Sequence, residues 1–175
     1  KDAIGCPVGN LILVQDPLTS IVHNEAFRPE VMTYDENYQN EQGYSNVFEQ
    51  HLHQVIEIVR RNFIGKSILE IGCGKGRFLK IMREQGFSVV GIDPAYEGDD
   101  PDIVKELFLP SLGMTSEAII LRHVLEHIPN PMSFLASIAE ANGGNGLIYI
   151  EVPSLDWIKD HKTWFDLFYE HANYF

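Results

Sequence analysis

The chain has 175 residues, 45% of them hydrophobic and 22% charged, enough for one domain with a real core and short for two. A formal charge of −12 argues against a nucleic-acid partner, whose phosphates call for basic patches, and no apolar run approaches the roughly 18 residues of a membrane span. Only Cys6 and Cys73 are present, which excludes a disulfide framework, fits a reducing compartment and leads us to expect a cytoplasmic location.

The chain opens KDAIGCPV, with neither an initiator Met nor a signal-like segment, so it is expected to begin inside a longer protein. Residues 1–44 read as irregular, rich in Asn, Glu and Tyr, and form an N-terminal arm ahead of a core over 45–175. Ser45 is the expected N-cap of a helix in which Phe48, Leu52, Val55, Ile56, Val59 and Phe63 recur at helical spacing. After Gly65-Lys66, SILEI (67–71) has the pattern of a short buried strand. A glycine loop follows, then a helix with Phe78, Leu79 and Met82 inward that ends at Gly86. Further strands are expected at 88–92, 103–107, 117–121 and 147–152. Asn130-Pro131 caps a helix to about Ala141, and residues 163–172 read as helical. Strands alternating with helices imply an α/β fold with a parallel sheet covered by helices on both faces.

The loop spacing separates several nucleotide sites. Gly74-Lys75-Gly76 lacks the spacing and the hydroxyl of a phosphate-binding Walker loop, and Arg77 stands where a nicotinamide fingerprint needs its last glycine. Glu70 precedes the glycines, a poor neighbour for a pyrophosphate and a good one for an ammonium group. Asp93 follows Gly76 at the end of the next strand, where a carboxylate can accept both hydroxyls of a ribose. S-adenosylmethionine fits a ligand with a ribose, a cationic amino-acid part and no phosphate.

Glu70-x-Gly72-x-Gly74-x-Gly76 resembles motif I of the class I S-adenosylmethionine-dependent methyltransferases. GIDPA (91–95) resembles their next motif, and HVLEHIPNP (123–131) the segment after their fourth strand. The resemblance covers roughly residues 45–153 and implies a Rossmann-like sheet, here apparently without its last two strands. It implies that Gly72, Gly74 and Gly76 admit the methionine part and donate amides to its carboxylate, with Cys73 a small filler inside the loop. Glu70 would orient the loop and the ammonium group, Asp93 would take the ribose, and Leu107 and Phe108 would flank the adenine. Arg122 and His123 would meet the methionine end.

The ending YEHANYF (169–175) resembles the Y-H-E-H-x-S-Y-F signature of C-methyltransferases acting on nucleotide-linked deoxysugars. Glu170 and His171 match its Glu-His pair, while Phe168 replaces a tyrosine and Tyr169 a histidine. That resemblance implies a small-molecule acceptor, His171 as the base that removes a proton beside a keto group, and Glu170 as its partner. Tyr34 and Tyr38, with Tyr44, would belong to a lid over the substrate. The zinc-binding segment of that family cannot be built from Cys6 alone. A metal-assisted or metal-free O-methyltransferase, and a cofactor-binding module without turnover, remain open alternatives. The H-x-x-E-H spacing of His123, Glu126 and His127 puts three ligand-type side chains on one side of a turn, with His171 available as a fourth. Local hydrogen bonding explains the same residues, and no metal ion is expected. The oligomeric state is not legible in the sequence.

Overall fold

Helix α1 (Asn46–Phe63) follows its apolar period: Leu52, Val55, Ile56, Val59 and Phe63 are buried, and polar residues face out. Ser45 holds the N-cap position, although its side chain makes no cap bond; its carbonyl accepts the Glu49 amide at 3.0 Å. The computed structural model describes residues 8–32 and 45–175, which fall into two compact units. The first, here the sheet unit, takes in the described residues up to Arg122 from Ser45, together with Leu135–Ile150. The second, here the hairpin unit, takes in the described residues up to Met32, His123–Phe134 and Glu151–Phe175.

In the sheet unit, strands β3 (Ser67–Ile71), β4 (Ser88–Ile92), β5 (Ile103–Val104), β6 (Ala118–Arg122) and β7 (Leu147–Glu151) assemble in the order β5-β4-β3-β6-β7. β3 sits in the centre, parallel to β4 through Glu70↔Gly91 and to β6 through Glu70↔Ile120. Helix α2 (Arg77–Glu84) presses Phe78, Leu79 and Met82 into the same core as α1, together with Ile68, Val89, Tyr96, Ile103 and Ile120. A central strand buried on both faces explains why SILEI is nearly continuous in its apolar residues. Helix α3 (Pro131–Ala141) starts where Asn130 accepts the Ser133 amide at 3.1 Å.

The third strand is shorter than the sequence suggests. β5 pairs with β4 only through Gly91↔Ile103 and Ile92↔Val104, and the Glu106 amide then turns back onto the Val104 carbonyl at 3.1 Å. Leu107 is exposed and Phe108 half-buried, so neither continues the strand.

Two further expectations are corrected in the hairpin unit. The part of residues 1–44 that is described is not irregular: β1 (Leu13–Gln15) and β2 (Val22–Asn24) form an antiparallel hairpin, closed by a turn in which Asp16 accepts the Leu18 and Thr19 amides at 2.8 and 2.7 Å. Residues 163–172 are not a helix. Helix α4 (Leu155–His161) begins earlier because Ser154 caps it, accepting the Trp157 amide at 3.3 Å, and it ends at Lys162 in the left-handed region, φ +56°. Trp164–Asp166 makes a single 3₁₀ turn, and Asn173–Tyr174 forms β8 against β2. Long-range bonds take the place of helical ones there. Ala172 donates to the Glu126 carbonyl at 2.8 Å and accepts from the Asn24 amide at 2.9 Å, and the Tyr174 hydroxyl donates to the Phe168 carbonyl at 3.1 Å.

Candidate functional site

The sheet unit carries the glycine loop at the carboxyl end of β3, where ligands of parallel α/β sheets bind. Gly72, Gly74 and Gly76 all have positive φ (+74°, +56° and +76°), a conformation side chains rarely adopt, so the spacing of the motif is a backbone requirement. Their surroundings differ. A Cβ on Gly76 would meet Ile103 Cδ1 at 2.6 Å, whereas a Cβ on Gly74 would meet nothing within 4 Å. Gly74 therefore leaves a cradle open to a ligand, and Gly76 packs loop against sheet.

The amides of the loop are committed inside the protein. Gly72 donates to the Ile92 carbonyl at 2.8 Å, Gly76 to the Cys73 carbonyl at 3.0 Å, and Gly74 to Asp93 Oδ2 at 2.7 Å. The expectation that these three amides serve a ligand carboxylate thus gives way to a loop whose offering is bare backbone. Asp93, buried at the end of β4, also accepts the Ala95 amide on Oδ1 at 2.8 Å. Each of its oxygens keeps a lone pair, so the carboxylate remains able to accept two hydroxyl donors. Glu70 is buried at 2% exposure one residue before the end of β3. Cys73 is buried too, and its Sγ would lie 2.7 Å from a Cβ on Gly91; burial, with Glu70 and Asp93 nearby, pushes its thiol pKa strongly up, so it is an inert filler. Arg122, at the end of β6, lays its guanidinium 4.3 Å from the Phe78 ring centre.

The hairpin unit carries His123, His127 and His171. His123 follows Arg122 in the left-handed region, φ +53°. That strained turn aims its ring at two carboxylates: Nδ1 lies 3.4 Å from Glu126 and Nε2 3.1 Å from Glu151. Burial alone would lower its pKa, but the two carboxylates prevail and raise it to about 9, so His123 is an imidazolium at neutral pH. Glu151 was not singled out from the sequence; the available signal was an acid at the carboxyl end of a parallel strand.

His171 is 4% exposed, its ring 5.0 Å from that of His127 and 4.0 Å from that of Phe168. An imidazole poised near neutrality by Glu170 is not what the surroundings produce. Burial lowers the His171 pKa to about 4, with repulsion from His127 adding to it and Glu126, not Glu170, opposing it. Glu170 contributes its backbone instead, the carbonyl lying 3.0 Å from His127 Nδ1. Tyr34 and Tyr38 lie outside the described residues.

Residues 37–175 match a family model described as a methyltransferase domain. The C-methyltransferase NovU of Streptomyces niveus is 28% identical over 142 residues, 72% of this chain and 34% of that protein. The ubiquinone biosynthesis O-methyltransferase of Aliivibrio fischeri (strain MJ11) is 28% identical over 124 residues, 56% of this chain and 51% of that protein. The chain thus spans about a third to a half of the length of these curated relatives. Among solved structures, the plantazolicin methyltransferase BpumL, in complex with a triazolic desmethylPZN analog and SAH, superposes with a TM-score of 0.52 at 20% identity, covering 69% of this chain and 53% of that one. A SAM-dependent methyltransferase from Archaeoglobus fulgidus gives 0.51 at 21% identity over 72% and 65%. At these identities the structures speak for the fold: a Rossmann-like α/β sheet.

Proposed function

Because the chain belongs to the methyltransferase-domain family, we propose that it transfers a methyl group from S-adenosylmethionine to a small-molecule acceptor. The observation that carries this is the pairing of the Gly74 amide with Asp93 beside open space at Gly74, a cradle with a ribose-type acceptor built into its wall. When bound, S-adenosylmethionine supplies a methyl group on a positively charged sulfur, open to a nucleophile held in line behind it. The chain's residues do the rest. Asp93 accepts the ribose hydroxyls, Gly74 gives clearance, and Glu70 orients the loop and the ammonium group. Phe108 flanks the adenine, and Arg122 meets the methionine end.

The acceptor in this reading is a nucleotide-linked sugar, methylated at a carbon next to a keto group. The match of YEHANYF to the sugar C-methyltransferase signature and the similarity to NovU support it. His171 serves as the base. Its imidazole is neutral at physiological pH, and its buried Nδ1 has no hydrogen-bond partner among the described residues. It takes the proton from the acceptor carbon, leaving there the electron pair for the methyl group that bound S-adenosylmethionine would supply. The proton then passes from His171 to water. Glu126 steadies the transient imidazolium, and Glu170 holds the sugar hydroxyls. Methylation of an oxygen is the second reading, favoured by the ubiquinone O-methyltransferase similarity.

The test is calorimetry with S-adenosylhomocysteine, followed by mass spectrometry of products from a panel of keto-sugar nucleotides and phenols. A methylated sugar carbon supports the first reading, and a methylated phenol the second. Binding without any product makes the chain a binding module, and no binding removes the cofactor assignment. His171→Ala should lower turnover by about 10²–10⁴ with cofactor affinity nearly unchanged.

A further inference from the structure

In the hairpin unit, one donor atom from each of Glu126, His127 and His171 lies within 4.8 Å of the others. We propose that these three side chains bind a divalent transition-metal cation of the zinc class.

Two of the donors are buried and unspent. Glu126 is 2% exposed and His171 is 4% exposed, and neither Glu126 Oε2 nor His171 Nδ1 has a hydrogen-bond partner among the described residues. A buried polar atom left without a partner is costly, so two of them in one cluster call for an explanation. A cation answers both at once. The third donor is prepared for the same role. His127 Nδ1 lies 3.0 Å from the Glu170 carbonyl, which can only accept, so the proton sits on Nδ1 and Nε2 is the ring's ligand-type nitrogen. Orientation of a ligand histidine by a backbone carbonyl is the usual outer support of a metal site. The other oxygen of Glu126 is held by His123 at 3.4 Å, and Glu151 holds His123 in turn, so the carboxylate is fixed from behind.

The scaffold is rigid where it needs to be. The Ala172 amide bonds the Glu126 carbonyl at 2.8 Å and Asn173 Nδ2 bonds the Ile128 carbonyl at 2.6 Å, stitching the two ligand-bearing segments together. The Phe168 and Tyr174 rings, 4.0 and 5.5 Å from that of His171, pack around it.

The donor set selects the ion. Two imidazoles and one carboxylate suit zinc, cobalt or iron(II), whereas magnesium and calcium prefer oxygen donors throughout. Bonds of about 2.0–2.2 Å in a tetrahedron set donors roughly 3.4 Å apart, so the three draw inward by small side-chain rotations. Three protein ligands leave a position for water. His123 is outside the set, since both its ring nitrogens face carboxylates. The proposal does not rest on the methyl-transfer reading. It alters that reading in one respect: with the ion bound, His171 is a ligand, and its role as base belongs to the ion-free chain.

The chain, stripped with EDTA and dialysed, is titrated with Co²⁺ while visible d–d bands are followed, and zinc retained after gel filtration is counted by plasma mass spectrometry. One ion per chain is expected, with zinc displacing cobalt. Affinity should fall at least about tenfold in His171→Ala and Glu126→Gln, and stay unchanged in His161→Ala, an exposed histidine. Circular dichroism separates ligand loss from unfolding, and His127→Ala replaces Glu126→Gln if the latter does not fold. No stoichiometric cobalt binding by the folded, unaltered chain overturns the proposal, as does equal binding by a folded His171→Ala variant. Calorimetry with S-adenosylhomocysteine on the same samples reads the methyl-transfer assignment separately.

Discussion

The Gly74 amide donates to Asp93 Oδ2 across 2.7 Å, tying the loop after β3 to the carboxylate that ends β4. Asp93 is thus both a proposed ligand contact and a loop clamp. Asp93→Ala should weaken S-adenosylhomocysteine binding by about 1–3 kcal/mol, the loss typical of a hydrogen-bonded charged partner. Asp93→Asn, which keeps one acceptor oxygen, should fall between. Calorimetry that finds both variants at wild-type affinity would take Asp93 out of the cofactor site.

Gly74 and Gly76 should respond to substitution in different ways, because one faces open space and the other Ile103. Gly74→Val fills the cradle and is expected to abolish cofactor binding, with a stability loss of roughly 1–2 kcal/mol from its positive φ. Gly76→Ala should destabilise the fold by a similar amount through both φ and the Ile103 contact, and should weaken binding less. A thermal melt paired with calorimetry on each variant separates the two. The reverse ranking would mean that the ligand approaches at Gly76.

Two histidines with opposite shifts predict where stability peaks in chelator-treated protein. The folded pKa of His171, about 4, lies below the unfolded value of 6.5. Between those values the unfolded chain binds more protons, so this contribution is complete above pH 6.5 and is lost as pH falls towards 4. The folded pKa of His123 is about 9, so its contribution is complete below pH 6.5 and is lost as pH rises through 9. Urea midpoints should therefore be highest near pH 6.5. His171→Gln should flatten the acid limb and Glu151→Gln the alkaline one. An acid limb that survives His171→Gln intact would place its origin in other groups.

Asn24 joins the hairpin to the segment that carries His171. Its buried side chain accepts from Ile12 and Ala26 at 2.9 and 3.1 Å and donates to the Asn10 carbonyl at 3.2 Å, while its amide bonds Ala172. Asn24→Ala should cost about 1–3 kcal/mol and speed hydrogen exchange at Ala172 and Asn173. Exchange at those two amides that matches the unaltered chain would show that Asn24 does not brace the histidine.

What was legible in the sequence was local. Ser67–Ile71, the glycine spacing and Asp93 sit in one strand–loop–helix–strand stretch, where each residue's place in the fold follows from its immediate neighbours. The helix expected at 163–172 failed because its aromatic spacing competes with contacts that spacing cannot display: Tyr174 with Phe168, Ala172 with Glu126, and β8 with β2. The hairpin at Leu13–Asn24 was missed although Asp16-Pro17 marks its turn, because its second partner lies at the other end of the sequence. His123, Glu126 and Glu151 became a network only when a left-handed residue turned the imidazole between the two acids, and a positive φ at histidine has no sequence signature.

The pairing of Val22 with Tyr174 has a kinetic consequence. Those residues are about 150 positions apart, whereas Val14 and His23 within the hairpin are close neighbours in the chain. Closing the longer loop costs roughly 2–3 kcal/mol more chain entropy than closing the shorter one. The three-stranded sheet should therefore complete after the sheet unit, whose β3–β4 contacts are local. In refolding followed by pulsed exchange, protection at Ile68–Ile71 should precede protection at Asn173 and Tyr174. The glycine loop would then be built before the segment carrying His171, so that a refolding chain would gain the proposed cofactor cradle before the proposed base.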